Sequence, residues 1–200
     1  MIKAIIFDLG GVVFRDGTKY AIQEMKEKLQ FSEKLGNELL LGEPASDFRK
    51  GLLTPEQFWK YVQTKIPPQI KANKIRSIWY TNYVAFPGSF ELIKELSSKF
   101  KLGIISGNIK EKVEYLDEKY NFRKYFDVEV YSFDLQTTKP DRLMWEKALE
   151  LLNLDAEECI YVDDNPESVD TANSLGFKAI LFKDASQVRK ELADLNVKVD

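Results

Sequence analysis

The chain has 200 residues, a formal net charge of −3, and charged residues of both signs making up 30% of the total. A chain of this length forms one large domain, or a domain with a small insertion, and buries roughly 70% of its unfolded surface. Its interspersed charge lacks the one-sided basic footprint of a nucleic-acid binder. Histidine is absent and Cys159 is the only cysteine, which removes every Ser-His-Asp or Cys-His arrangement, any disulfide framework and any thiolate metal cluster. Chemistry on this chain must therefore run on carboxylates, lysine, hydroxyls and a hard cation. No apolar stretch approaches the ~20 residues that cross a bilayer, and Asp8 comes too early for a signal-peptide apolar region. The expectation is a cytoplasmic protein with no membrane contact; oligomeric state is not legible.

In chain order, the first element is an apolar strand over residues 2–7 that ends in Asp8 and the flexible pair Gly10-Gly11. A carboxylate at that point stands at a strand's mouth. Residues 16–84 show helical spacing and no convincing strand, so they read as a helical insertion after the first strand. Thr54-Pro55-Glu56-Gln57 in this stretch has the form of a capping box with proline in its first turn. Its aromatic residues Phe48, Phe58, Trp59, Tyr61, Trp79 and Tyr80 are expected to form a small core of their own. Gly17 marks the exit into the insertion and Pro87-Gly88 the return from it. Beyond residue 88, apolar strands over 101–106, 128–132, 159–163 and 178–181 alternate with amphipathic stretches over 91–100, 111–120 and 142–152, the rhythm of a parallel sheet with crossover helices. Asn165-Pro166 reads as an N-cap with proline at the first helical position, and Gly176 as the matching stop. Cys159, inside a strand, is expected to be a buried structural thiol.

The fold class is thus α/β: a Rossmann-like parallel sheet flanked by helices, with residues 1–15 and 85–200 forming the sheet domain and 16–84 the helical insertion. A parallel sheet carries all its strand carboxyl ends on one side, where open α/β sheets bind ligands. Asp8, Ser106 with Gly107-Asn108, Lys139 before Pro140, and Asp163-Asp164 can then converge. Three gathered carboxylates repel one another unless a cation neutralises them, and without histidine or a thiolate cluster that cation is expected to be hard and oxygen-loving, which favours Mg²⁺. Beside it, Ser106 can donate its hydroxyl, Gly107 leaves backbone amides accessible, and the following helix presents a positive end, the outline of a phosphate site. Lys139 balances charge on the transferring group. Asp8 is the candidate for attack on phosphorus, giving an aspartyl phosphate that water hydrolyses.

These residues resemble the haloacid dehalogenase superfamily over essentially the whole chain. Ile5-Ile6-Phe7-Asp8-Leu9-Gly10-Gly11-Val12-Val13 is similar to the family's first motif, implying Asp8 as nucleophile and the carbonyl of Gly10 as a metal ligand. Ile104-Ile105-Ser106-Gly107-Asn108 resembles the second, implying phosphate binding; Lys139-Pro140 resembles the third; and Tyr161-Val162-Asp163-Asp164-Asn165 resembles the fourth, implying Mg²⁺ binding by one or both acids. The inserted helices resemble the family's cap, and Phe48-Arg49-Lys50-Gly51 with Thr54-Pro55-Glu56-Gln57-Phe58 resembles the cap of a branch that includes a sugar-phosphate phosphatase. One position departs from the pattern: most phosphatases of the family carry an acid/base aspartate two residues after the nucleophile, where this chain has Gly10.

The expectation is a Mg²⁺-dependent phosphatase for a small phosphorylated metabolite, favouring leaving groups that are already acidic, since general acid catalysis contributes about 10²- to 10⁴-fold. Alternatives are a 2-haloacid dehalogenase, in which the same aspartate attacks carbon, and a non-catalytic or phospho-accepting binding module. Asp16 is a candidate substitute acid, though a solvated hinge carboxylate is the plainer reading. Arg15, Tyr20 and Arg49 are candidate substrate contacts.

Overall fold

Strand β1 (Ala4–Phe7) is buried on both faces, a state that suits the centre of a parallel sheet covered by helices on each side. Side chains alternate across a strand, so Ile5 and Phe7 enter one apolar cluster while Ala4 and Ile6 enter another. The computed structural model describes residues 1–197. After β1 come five helices, α1 (Gly17–Leu29), α2 (Glu33–Leu41), α3 (Glu43–Arg49), α4 (Pro55–Lys65) and α5 (Ala72–Thr81), with no strand among them. The chain then runs α6 (Pro87–Leu96), β2 (Lys101–Ser106), α7 (Lys110–Tyr120), β3 (Val128–Tyr131), α8 (Ser132–Leu135), α9 (Leu143–Leu152), β4 (Cys159–Asp163), α10 (Pro166–Ser174), β5 (Lys178–Leu181) and α11 (Ala185–Asp194).

All strand pairings are parallel and the order is β3-β2-β1-β4-β5. Strand order reverses about β1, so the crevice between the carboxyl ends of β1 and β4 is the switch point where such sheets bind ligands. The register places Phe7 beside Val162 and Ile104, which brings Asp8, Asp163 and Ser106 to one rim.

Local signals decide most element ends. Asn165 accepts from the Glu167 N–H with Pro166 in the first turn of α10, and Gly176 follows that helix at a φ of +95°. Thr54 and Gln57 form the reciprocal capping box of α4. Pro87-Gly88, expected to mark the return to the sheet, lies in the first turn of α6, because proline's fixed φ and missing N–H suit that position. The first strand is shorter than its apolar run: Ile2 is buried outside β1, and the Lys3 N–H donates to the Glu158 carbonyl. Cys159 is fully buried, and burial pushes its thiol up to about 12.

The aromatic residues of the insertion do pack on one another. Phe48 stacks on Phe58 at 4.4 Å between ring centres, and Trp59 meets Phe58 edge-on at 4.8 Å. They do not form a separate core, however, for Phe58 and Trp79 belong to the same apolar cluster as Phe7, Val12 and Phe14. Two polar connections fasten the insertion. Arg15 Nε donates to the Asn82 carbonyl and its Nη2 to Asn82 Oδ1, each at 2.7 Å, joining the two chain crossings. At the first turn of α7, Glu111 Oε2 accepts from Trp59 Nε1 at 3.1 Å and from the Tyr80 hydroxyl at 3.0 Å, with Arg76 3.7 Å from its other oxygen.

Replacing Glu111 with alanine leaves the donors of two buried side chains, Trp59 and Tyr80, without an acceptor, which costs about 1–3 kcal/mol. Chemical denaturation should show that loss for Glu111→Ala, whereas removal of the exposed Lys147–Glu150 pair should change stability by less than about 1 kcal/mol.

Candidate active site

Asp8 follows β1 directly and remains buried. Its neighbour is Lys139, whose Nζ lies 2.8 Å from Asp8 Oδ1 and 2.5 Å from Asp163 Oδ2. The ammonium thus bridges two carboxylates that come from residues 155 positions apart in the chain. Burial alone would lower the Lys139 pKa, but the charges of Asp8 and then Asp163 outweigh it and the net shift is upward. Asp163 is held through both oxygens: Oδ2 also accepts from the Tyr161 hydroxyl, and Oδ1 accepts from the Asn165 N–H at 2.8 Å. Tyr161 further accepts from Lys139 at 3.2 Å.

Asp164 completes the acidic group. Asp8, Asp163 and Asp164 each offer an oxygen, and these lie within 4.8 Å of one another. Burial first, then the two other acids against the pull of Lys139, raises Asp8 to about 7; burial and the charge of Asp163 raise Asp164 to about 6. Three crowded carboxylates served by one ammonium, with no histidine or thiolate at hand, fit a hard divalent cation such as Mg²⁺. Gly11 makes room for the arrangement. Its φ is +101°, and a Cβ there would stand 2.1 Å from Asp164 Oδ2, so the acid can occupy its place only against glycine.

On the neighbouring strand end, buried Ser106 accepts from Asn108 Nδ2 at 3.2 Å, and α7 starts with no side chain capping its amides. A pocket of about 260 Å³ opens over these groups, lined by Asp8, Gly10, Ser106, Gly107, Asn108, Lys139, Asp163 and Asp164, and also by Thr138, Ser168, Arg49 and Tyr83. Every candidate site residue from the sequence therefore faces one cavity. Of the three candidate substrate contacts only Arg49 does. Arg15 is engaged with Asn82 and lies 4.1 Å above the Tyr20 ring, while Asp16 caps α1 by accepting from the Thr18 N–H.

Tyr83 and Tyr161 did not emerge from the sequence. Tyr161 could have been found, since it lies two positions before Asp163 on β4 and alternation puts both on one face. Tyr83 had no local signal. It stands where the chain lacks an acid: a Cβ on Gly10 would lie 3.3 Å from Tyr83 Cε1, and the phenol oxygen is 2.9 Å from Thr18 Oγ1. The aromatic ring borders position 10 closely enough that a side chain there would press against it.

A model of haloacid dehalogenase-like hydrolases matches residues 2–176, and the chain belongs to that family. An uncharacterised protein of Dictyostelium discoideum is 34% identical over 154 residues, 74% of this chain and 66% of that protein. A protein named pyrophosphatase PpaX, from Bacillus mycoides, is 30% identical over 92 residues, 46% of this chain and 43% of that protein. The chain thus spans about two thirds of the first of these relatives and under half of the second. Among solved structures, a family enzyme of Bacteroides thetaiotaomicron, crystallised with magnesium and inorganic phosphate, superposes with a TM-score of 0.77 at 21% identity, covering 94% of this chain and 99% of that one. The Rossmann-like α/β architecture is that of the family.

Two outcomes are expected. Gly10→Asp and Tyr83→Ala should each destabilise the protein, and together they should cost at least about 0.5 kcal/mol less than the sum of the single changes, because the residues compete for one space. In the metal-free protein, Asp8 and Asp164 hold protons that the unfolded chain has released, so stability contributed by these groups falls as pH rises between about 4 and 7. Melting of chelator-treated protein at pH 5.5 and 7.5, compared with an Asp8→Asn/Asp164→Asn protein, should show that fall in the parent and a smaller one in the variant.

Proposed function

We propose that this chain is a Mg²⁺-dependent phosphatase that releases phosphate from a small phosphorylated metabolite through an aspartyl-phosphate intermediate. The observation carrying this reading is Lys139 poised between Asp8 and Asp163 with Asp164 alongside. A nucleophilic carboxylate, a fixed ammonium and a divalent-cation set occupy one small pocket with a hydroxyl and uncapped helix amides. The magnesium and phosphate found with the Bacteroides enzyme, and the phosphorus–oxygen bond cleavage implied by the name of the Bacillus relative, support the same chemistry here. A 2-haloacid dehalogenase would leave the acidic set without a purpose.

Asp8, Asp164 and the Gly10 carbonyl would hold Mg²⁺ directly. Asp163, with both oxygens already engaged by Lys139, Tyr161 and Asn165, instead keeps Lys139 in position. When bound, the ion screens the repulsion between Asp8 and an incoming phosphoryl dianion and aligns the two. Lys139 holds one oxygen of Asp8 and leaves the other to attack phosphorus. Ser106 and the amides of Gly107 and Asn108 bind the phosphoryl oxygens as charge builds on them. The helical insertion, docked through Glu111, acts as the cap that excludes water and shapes the leaving-group space. With Gly10 and the Tyr83 ring in place of an acid, leaving oxygens that need no protonation are favoured, such as those of anomeric, acyl or aryl phosphates.

Phosphate release from a metabolite panel that includes sugar phosphates and pyrophosphate should require Mg²⁺ and vanish in Asp8→Asn; release that survives both changes would overturn the reading. Asp164→Asn should raise the Mg²⁺ concentration needed for half-maximal activity by about 10-fold or more, and Asp163→Asn should chiefly lower kcat. Under conditions where chemistry limits the rate, aryl phosphates should outpace simple alkyl phosphates by about 10²-fold or more; equal rates would remove the leaving-group preference.

A further inference from the structure

The pocket has two unlike walls. On the sheet side three carboxylates share one ammonium, Lys139. On the side of the helical insertion the sign is reversed. Arg49, the last residue of α3, lines the pocket. Lys112 of α7 is only 1% exposed and lies behind Tyr83, its ammonium 3.8 Å from the centre of that ring and 4.4 Å from the centre of Trp79.

Neither cation forms an ion pair among the described residues. Arg49 Nη2 donates to the Leu40 carbonyl at 2.6 Å, and its guanidinium lies 5.6 Å from the Trp79 ring. Asp16 is the carboxylate whose charge reaches both, but its Oδ1 is occupied at the start of α1 by the Thr18 N–H. Contacts with aromatic faces return about 0.5–2 kcal/mol each, less than the several kcal/mol it costs to take an ammonium out of water. Burial, and after it the charge of Arg49, hold the Lys112 pKa well below its ordinary value. An anion entering beside Arg49 would relieve both costs. The scissile phosphate has its own partners in Lys139, Ser106 and the amides at the start of α7, so Arg49 is left for another group.

We propose that Arg49, supported by Lys112 behind the Tyr83 ring, receives a second anionic group of the substrate, a carboxylate or a second phosphate on the molecule whose phosphoryl group lies at Asp8. This rests on the phosphatase reading of the site and adds the substrate class to it. Because Arg49 and Asp8 line one cavity of about 260 Å³, a short skeleton separates the two anionic groups.

The test uses two substrate pairs: 3-carboxyphenyl against 3-carbamoylphenyl phosphate, matched in shape, for a carboxylate, and glucose 1,6-bisphosphate against glucose 1-phosphate for a second phosphate. The full-length protein with Mg²⁺ should favour the doubly anionic member of at least one pair by about 10-fold or more in kcat/KM, the scale of one charge-assisted contact. Arg49→Gln should collapse that ratio mainly through KM, Arg49→Lys should retain part of it, and Lys112→Met should reduce it. Which pair shows the preference identifies the anion. Calorimetric binding of the same pairs to Asp8→Asn protein reads the receptor without turnover. Detectable binding with the same preference, in the absence of turnover by the parent protein, would sink the phosphatase reading and keep the anion site. Equal kcat/KM within both pairs, a ratio untouched by Arg49→Gln in a protein that melts normally, or no preference in binding would overturn the anion site and leave phosphatase activity standing.

Discussion

The ammonium of Lys139 is the interaction on which the rest of the site depends. β1 and β4 are adjacent strands, so the same parallel register that completes the core forces Asp8 and Asp163 toward each other. Unrelieved, two buried carboxylates at that spacing would drive one another toward the neutral acid; burial first, and the charge of Asp163 after it, already raise Asp8 to about 7 against the pull of Lys139. Lys139, reaching in from the segment between α8 and α9, supplies positive charge where the sheet concentrates negative charge. One ammonium cannot balance three acids, and the remainder is what fits the site to a divalent ion.

Support for that centre comes from the groups packed around it. The Tyr161 hydroxyl and the Asn165 amide hold Asp163, and Gly11 lets Asp164 approach the backbone without a Cβ in the way. A site built at the end of a sheet gains precision this way: strand register fixes the Cα positions, and hydrogen bonds from the next layer fix the rotamers.

Much of this was legible in the sequence. Apolar runs that end in Asp8, Ser106 and Asp163 announce parallel strands and a common rim, since charge at the end of a buried run is tolerated only where the strand emerges. Capping signals at Thr54 and Asn165 fixed helix starts because they act within a few residues. What was not legible depends on approach between distant segments. The Tyr83 ring occupies the space beside Gly10 although 73 positions separate them, and no local pattern encodes that. Arg15 was one of the candidate substrate contacts, yet Asn82 engages it. The aromatic residues of the insertion show helical spacing, which reveals a buried face but not whether that face closes on itself or joins the sheet's core, as it does here.

The pairing of Arg15 with Asn82 has a mechanical corollary. Two separate strands of chain enter and leave the helical insertion, and independent linkers would let it slide, twist and tilt. Stitched together by a bidentate guanidinium, they behave as a single connection and not as two independent linkers. Glu111 makes the second fastening, and it lies in the first turn of the helix whose amino end borders Ser106, so the attachment of the insertion and the uncapped amides beside Ser106 belong to one helix.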